Sequence, residues 1–146
     1  MLKRYRFWLV AAVLFEFLTA AVHAISLFSG LHSDNDTERQ LNELITTYRF
    51  DAGAGFTPSF LNLFTALSSC FSLLCLMGGL TMGYLLIKHA EPKLMKGMIP
   101  IHLAIFLTGF IVFFFLTFLP PVLLTGLIVL NLLLAYIFCP DIEATI

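Results

Sequence analysis

An all-α fold embedded in a membrane is what this chain of 146 residues predicts: four crossing helices, with a short amphipathic helix in the outer loop between spans one and two. Three observations carry that expectation. The AVILMFWYC residues make up 60% of the sequence and charged residues 12%, more apolar surface than a soluble fold of this length can hide. Several stretches stay apolar over the ~20 residues that a helix needs to cross ~30 Å of hydrocarbon. Proline, glycine and charge punctuate the chain between them. With 16 Phe, 4 Tyr and 1 Trp, much of the surface must face acyl chains. The net charge of −1, with no basic stripe, excludes nucleic acid as a partner.

The first span covers residues 7–28, after Lys3, Arg4 and Arg6. A secretory signal peptide is the rival reading, with Val22 and Ala24 flanking His23 as the small residues of a cleavage site. The run is long for a signal and contains Glu16, which favours a retained crossing. In the following segment Leu41, Leu44, Ile45 and Tyr48 fall at i, i+3, i+4 and i+7, with charges opposite, predicting a short interfacial helix over about 36–50. Asp36 or Thr37 is expected to cap it, and Gly53 and Gly55 to break it. Its apolar stripe would roof the bundle or lie on the outer leaflet.

Span two, residues 59–87, opens at Thr57 and Pro58. As a helix it would be ~43 Å long, so it must tilt or project into water. From 98 to 139 the chain is almost unbroken in apolarity, twice what one crossing needs. Pro120 and Pro121 sit near its midpoint, where a missing donor and a fixed φ end one helix and start another, giving spans at 98–119 and 121–139. An even number of crossings puts both termini on one side. Lys3, Arg4, Arg6, Lys88, Lys93 and Lys96 share that side, which the positive-inside rule makes cytoplasmic. The segment carrying Arg39 and Arg49 among Asp34, Asp36, Glu38, Glu43 and Asp51 is then outside, in the periplasm of a bacterial cell, and the membrane is its inner membrane.

Ionisable groups in hydrocarbon are costly and are expected to face the bundle interior with a partner. Glu16 lies roughly 14 Å into span one, near the midplane, with Asn131 of span four and Thr108 of span three at a similar depth. As a functional group Glu16 binds a proton or a cation, with Asn131 donating a hydrogen bond; as a structural one it glues spans one and four. His23 shares its helix face, two turns on, at the outer mouth. There it is either a ligand contact or an interfacial histidine bonded to a backbone carbonyl. Asn62 and Thr65, with Ser68, Ser69 and Ser72, face that depth from span two. His102, roughly 6 Å inside the inner end of span three, is expected to reach the headgroups.

His23 and His102 are roughly 18 Å apart along the normal, too far to share one haem, and no carboxylate pattern supports a metal; no metal and no cofactor are expected. Cys70, Cys75 and Cys139 lack the spacing of a redox pair and read as packing residues. Gly79 and Gly83, beside Gly78, form a small-xxx-small pair that lets another helix approach, from this chain or from a membrane-protein partner or a second copy. Phe106, Phe110, Phe113, Phe114, Phe115 and Phe118 cover too much of the circumference of span three to line one pocket and read as lipid-facing bulk. No nucleophile and base pair or phosphate loop is present.

The stretch Leu14 to Ala20, LFEFLTA, with Ser26 and Gly30 after it, resembles the first helix of the small multidrug resistance transporters. That likeness implies, for Glu16, a carboxylate that binds protons and cationic drug in turn. As a whole the chain is similar to small uncharacterised four-span bacterial membrane proteins of the DoxX-like group, through His23 closing span one, the outer segment reaching Arg49, the Gly-rich exit of span two and the Pro120 hairpin. It brings no activity with it. A sterol-isomerase-like bundle has several buried carboxylates, whereas Glu16 is alone at depth here.

Three classes of function follow: a binder of a lipid-like molecule or an accessory subunit of a membrane complex, a proton-coupled small-molecule transporter using Glu16, and an enzyme on an apolar substrate. The sequence favours the first. A cleft between spans one and two, reaching Glu16, His23, Asn62 and Thr65 with Asn131 behind it, would hold one amphipathic molecule with its head at the outer mouth.

Overall fold

A computed structural model describes residues 2–140 of the chain. Five helices run in order: α1 (Leu2–Ser26), α2 (Asp36–Thr47), α3 (Phe60–Ile87), α4 (Pro92–Leu116) and α5 (Leu119–Phe138). All but α2 are long and apolar enough to cross a membrane. Among the described residues, β pairing is confined to an isolated antiparallel bridge between Arg49 and Ser59. The chain divides into two compact units, one formed by α1 as far as Ala20 together with the chain from Leu74 onward, the other by Ala21–Leu73.

The first unit is a ring of antiparallel neighbours. α1 meets α3 where Gly79 and Gly83 face Phe17 and Val13: a Cβ on Gly79 would stand 3.2 Å from the Phe17 ring, and one on Gly83 3.5 Å from Val13. α3 meets α4 at Gly78 and Phe106, and again where Thr81 Oγ1 lies 3.2 Å from His102 Nε2. α4 and α5 form the expected hairpin, with Phe110 against Gly126 and Lys96 Nζ donating to the carbonyls of Tyr136 (3.0 Å) and Cys139 (3.1 Å). The ring closes where the Arg4 guanidinium lies 4.6 Å from the centre of the Phe138 ring. Small residues at these crossings are what packing without a hydrophobic drive between helices requires, because lipid tails are as apolar as leucine.

Helix α1 shows how the unit is oriented by its solvent. Tyr5, Leu9, Ala12, Val13, Glu16, Thr19 and Ala20 are buried, while Phe7, Val10, Leu14 and Leu18 are exposed. Both faces carry apolar residues, and the one acidic residue lies on the inner face, as hydrocarbon demands. The spans begin and end a few residues from their expected limits. α4 starts at Pro92 instead of 98, because Pro92 is a ready first-turn residue and Lys96 bonds across to α5. Pro120 and Pro121 lie in the first turn of α5, which begins at Leu119, two residues before the expected 121.

In the second unit, Asn35, not Asp36 or Thr37, caps α2: its side chain accepts from Glu38 N at 2.9 Å, while Glu38 Oε2 accepts from Asp34 N at 2.7 Å. The first bond is a side-chain N-cap, and in the second Glu38 takes the amide of the residue before the cap, one position off the capping-box pattern. The helix ends at Thr47, short of the expected 50, and the chain then pairs Arg49 with Ser59. Gly53 and Gly55 adopt φ of 85° and 83° in the loop that follows. Ser59, not Thr57, opens α3, its hydroxyl accepting from Asn62 N at 3.2 Å. Phe60 stacks on Tyr48 at 6.2 Å and packs on Phe50 at 5.1 Å, tying the loop to the start of α3. Leu41, Leu44 and Tyr48 stay exposed.

Asn35→Ala removes one of the acceptors for the orphan amides at the start of α2, a loss of about 1 kcal/mol. Amide exchange at Glu38 and Arg39 should quicken while the four long helices keep their protection; unchanged exchange there would show that the cap is dispensable.

Candidate functional site

Two features of the first unit invite a functional reading, and they lie on neighbouring faces of α3, at Gly78 and at Gly79. On the inner flank is Glu16, with no exposed surface. Gly78 supplies the space for its carboxyl: a Cβ there would stand 3.3 Å from Glu16 Oε2 and 3.2 Å from the Phe106 ring. Among the described residues no hydrogen-bond partner reaches either carboxyl oxygen. The expected bond from Asn131 is not formed, because its Nδ2 donates to Leu127 O on its own helix, at 2.7 Å. Asn131 is nevertheless buried in the same unit. Thr108, expected at the same level, is exposed and donates to Ala104 O at 2.9 Å.

One turn before Phe106 on α4 stands His102, which sequence reasoning sends to the headgroups. It is 7% exposed and bonded between helices instead. Its Nδ1 lies 3.2 Å from Met98 O, an acceptor, so Nδ1 carries a proton. In the neutral ring Nε2 is then an acceptor, facing Thr81 Oγ1 at 3.2 Å. The Thr81 hydroxyl has one proton and three acceptors in range, Met77 O at 2.8 Å, Gly78 O at 3.0 Å and the imidazole. The spacing of Thr81 from the glycines was the available signal for this pairing, since helices that approach closely at Gly78 bring the next turn within hydrogen-bond range.

The remaining expected residues belong to the other unit. His23 is half-buried, its ring edge-on to Phe71 at 5.1 Å, and among the described residues its Nε2 has no partner. Asn62 and Thr65 are exposed. The backbone of Asn62 bonds Ser59 Oγ and the carbonyl of Thr65 accepts from Ser69 Oγ, so both serve α3 itself.

On the outer flank of α3 runs an apolar groove of about 410 Å3, lined from α1 by Val10, Val13, Leu14 and Phe17 and from α3 by Gly79, Leu80, Gly83, Tyr84, Leu86 and Ile87. Gly79 and Gly83 form its floor: the small-xxx-small pair admits α1 of the same chain and leaves a furrow beside it. None of Glu16, His23, Asn62, Thr65 and Asn131 lines this groove, and it occupies the half of the helices nearer the basic residues, not the outer mouth expected for a ligand head. Chemically, the groove suits a hydrocarbon chain, and the Glu16 pocket suits a proton or a donor brought by a ligand.

Fold and site together define an integral membrane protein of four crossing-length helices with an apolar lateral groove and one buried carboxyl. Comparisons with the profiles of known families, with curated proteins and with solved structures find no match, so function is argued from the site.

A buried carboxyl without a partner costs about 1–3 kcal/mol. Glu16→Met, close in volume and without the polar oxygens, should therefore raise the thermal unfolding midpoint in mild detergent by a few degrees. A lowered midpoint would mean that the carboxyl has a partner in the folded protein. Gly78→Ala forces Phe106 and Glu16 apart and should lower the midpoint.

Proposed function

We propose that the protein binds one lipid-like molecule along the α1/α3 groove, as a membrane lipid binder or as an accessory subunit that carries lipid within a larger membrane complex. The observation behind this reading is the groove itself: a furrow with a glycine floor and wholly aliphatic and aromatic walls, open along one side, fits an acyl chain and offers nothing to an aqueous solute. Lys and Arg distribution supports an orientation with the basic end, and hence both termini, on the cytoplasmic side, in the inner membrane of a bacterium. The exposed Leu41 and Leu44 of α2, with Tyr48 at its C-cap, support a helix lying on a leaflet surface. Native mass spectrometry of gently solubilised protein should show a lipid-mass adduct on the wild type. Gly83→Leu, which adds a side chain to the groove floor where the nearest atom to a Cβ is 3.5 Å away, should lose it. Retention of the same adduct by Gly83→Leu would remove the groove as the binding site.

A second reading rests on a separate observation, the unpartnered carboxyl of Glu16 at the foot of Gly78. Such a group is the natural proton carrier of a small coupled transporter. Vesicles holding the wild type would then show flux driven by a pH gradient, abolished in Glu16→Gln. Wild-type vesicles without any such flux would eliminate the transporter.

A further inference from the structure

The groove does not end in bare hydrocarbon. On α1 it begins at Val10, and Arg6 stands one turn before it; on α3 it ends at Ile87, and Lys88 follows directly. The Lys88 ammonium lies 5.8 Å from the centre of the ring of Tyr84, itself a wall of the groove. Each flank of the furrow therefore closes on a cation at the same end of the unit.

The residue that joins the two flanks is conformationally unusual. α3 terminates with His89 N donating to Leu86 O (3.1 Å) and Ala90 N donating to Leu85 O (3.0 Å), the paired bonds of a Schellman turn. That turn requires a left-handed residue, and His89 takes it with φ of 51° where glycine is the usual occupant. A side chain kept at a position that favours having none is a place to look for a role. Here the imidazole reaches α1: Arg6 Nη1 is 3.0 Å from His89 Nδ1, and Arg6 Nε donates to Tyr5 Oη at 3.3 Å. Arginine has donors only, so Nδ1 accepts and the ring carries its proton on Nε2. Among the described residues, Arg6 is thus held at the end of the groove by Tyr5 and His89, neither of them an anion, with further N–H groups and the His89 Nε2–H as donors.

We infer that the ligand of this groove is an anionic phospholipid of the leaflet at the basic end, its acyl chain lying along Val13, Phe17, Gly79 and Gly83 and its phosphate received by Arg6 and Lys88, with His89 as the residue that positions Arg6. The assignment rests on the lipid-binding reading of the groove and adds the headgroup class. Charge complementarity carries it: two cations at the end of an apolar furrow, held by aromatic and imidazole groups with no carboxylate among their contacts in the described residues, match a headgroup of net negative charge and gain little from a zwitterionic one, whose own ammonium they repel.

The full chain, purified in mild detergent, is offered equal amounts of phosphatidylglycerol and phosphatidylcholine with identical acyl chains, and the retained lipid is read by native mass spectrometry. The wild type should retain phosphatidylglycerol in excess, and Arg6→Gln and Lys88→Gln should each reduce that excess roughly fivefold. His89→Gly relieves the left-handed position, so it should keep or raise the thermal midpoint while lowering the preference. That outcome separates a positioning role from a structural one. Lys93→Gln removes the same charge from the same end without touching the groove and should leave the preference intact. Lipid retained without headgroup preference, or a preference that falls as much in Lys93→Gln as in Arg6→Gln, overturns the headgroup assignment and leaves the groove standing. No lipid retained from either class overturns both.

Discussion

The structure is governed by one constraint: where the solvent is hydrocarbon, a polar group that finds no partner inside the chain finds none at all. Its hydroxyls and amides obey it in the cheapest way. Thr19 donates to Phe15 O, Ser69 to Thr65 O, Thr81 to Met77 O, Thr108 to Ala104 O, Thr125 to Pro121 O and Asn131 to Leu127 O, every one to the carbonyl a turn back on its own helix. Polar bonds between the helices include that between Thr81 and His102, from α3 to α4, and those from Lys96 of α4 to the carbonyls of Tyr136 and Cys139. Since such bonds add only about 0.6 kcal/mol on average in membranes, packing at Gly78, Gly79, Gly83 and Gly126 does most of the holding.

Glycine at these crossings has two consequences on α3. On the inner flank Gly78 makes room for the Glu16 carboxyl, and on the outer flank Gly79 and Gly83 let α1 approach while leaving a furrow. Neighbouring residues of one helix, Gly78 and Gly79, thus face a buried carboxyl packed beside Phe106 and an apolar groove, because successive residues on a helix point about 100° apart. The Glu16 carboxyl is closed off from the surface, whereas the groove is open along one side.

Number, order and approximate limits of the helices were legible in the sequence because length and apolarity decide them. So was the α4/α5 hairpin, through Pro120 and Pro121, and so was the inward face of α1, through Glu16. The pairing of Glu16 with Asn131 was not. Depth along a helix follows from counting residues, but rotation about its axis does not, and an asparagine in a span always has its own helix carbonyl within reach. His102 was misjudged for the same reason: its depth is near the boundary, yet its rotation turns it toward Thr81. The caps were missed by one or two residues, since Asn35 and Ser59 compete with adjacent residues of the same chemistry and only the backbone chooses between them. The left-handed His89 carried no sequence signal, as glycine would have done.

The claim beneath all of this is that α1 turns Glu16 inward and Leu14 and Leu18 toward acyl chains. A nitroxide scan along residues 9–20 in lipid bilayers, read by collision with dissolved oxygen, tests it most directly. Oxygen accessibility should oscillate with the period of the helix, with maxima at Leu14 and Leu18 and minima at Ala12, Glu16 and Ala20. A maximum at Glu16, or a flat profile along the helix, would contradict the fold, the buried carboxyl and the groove together.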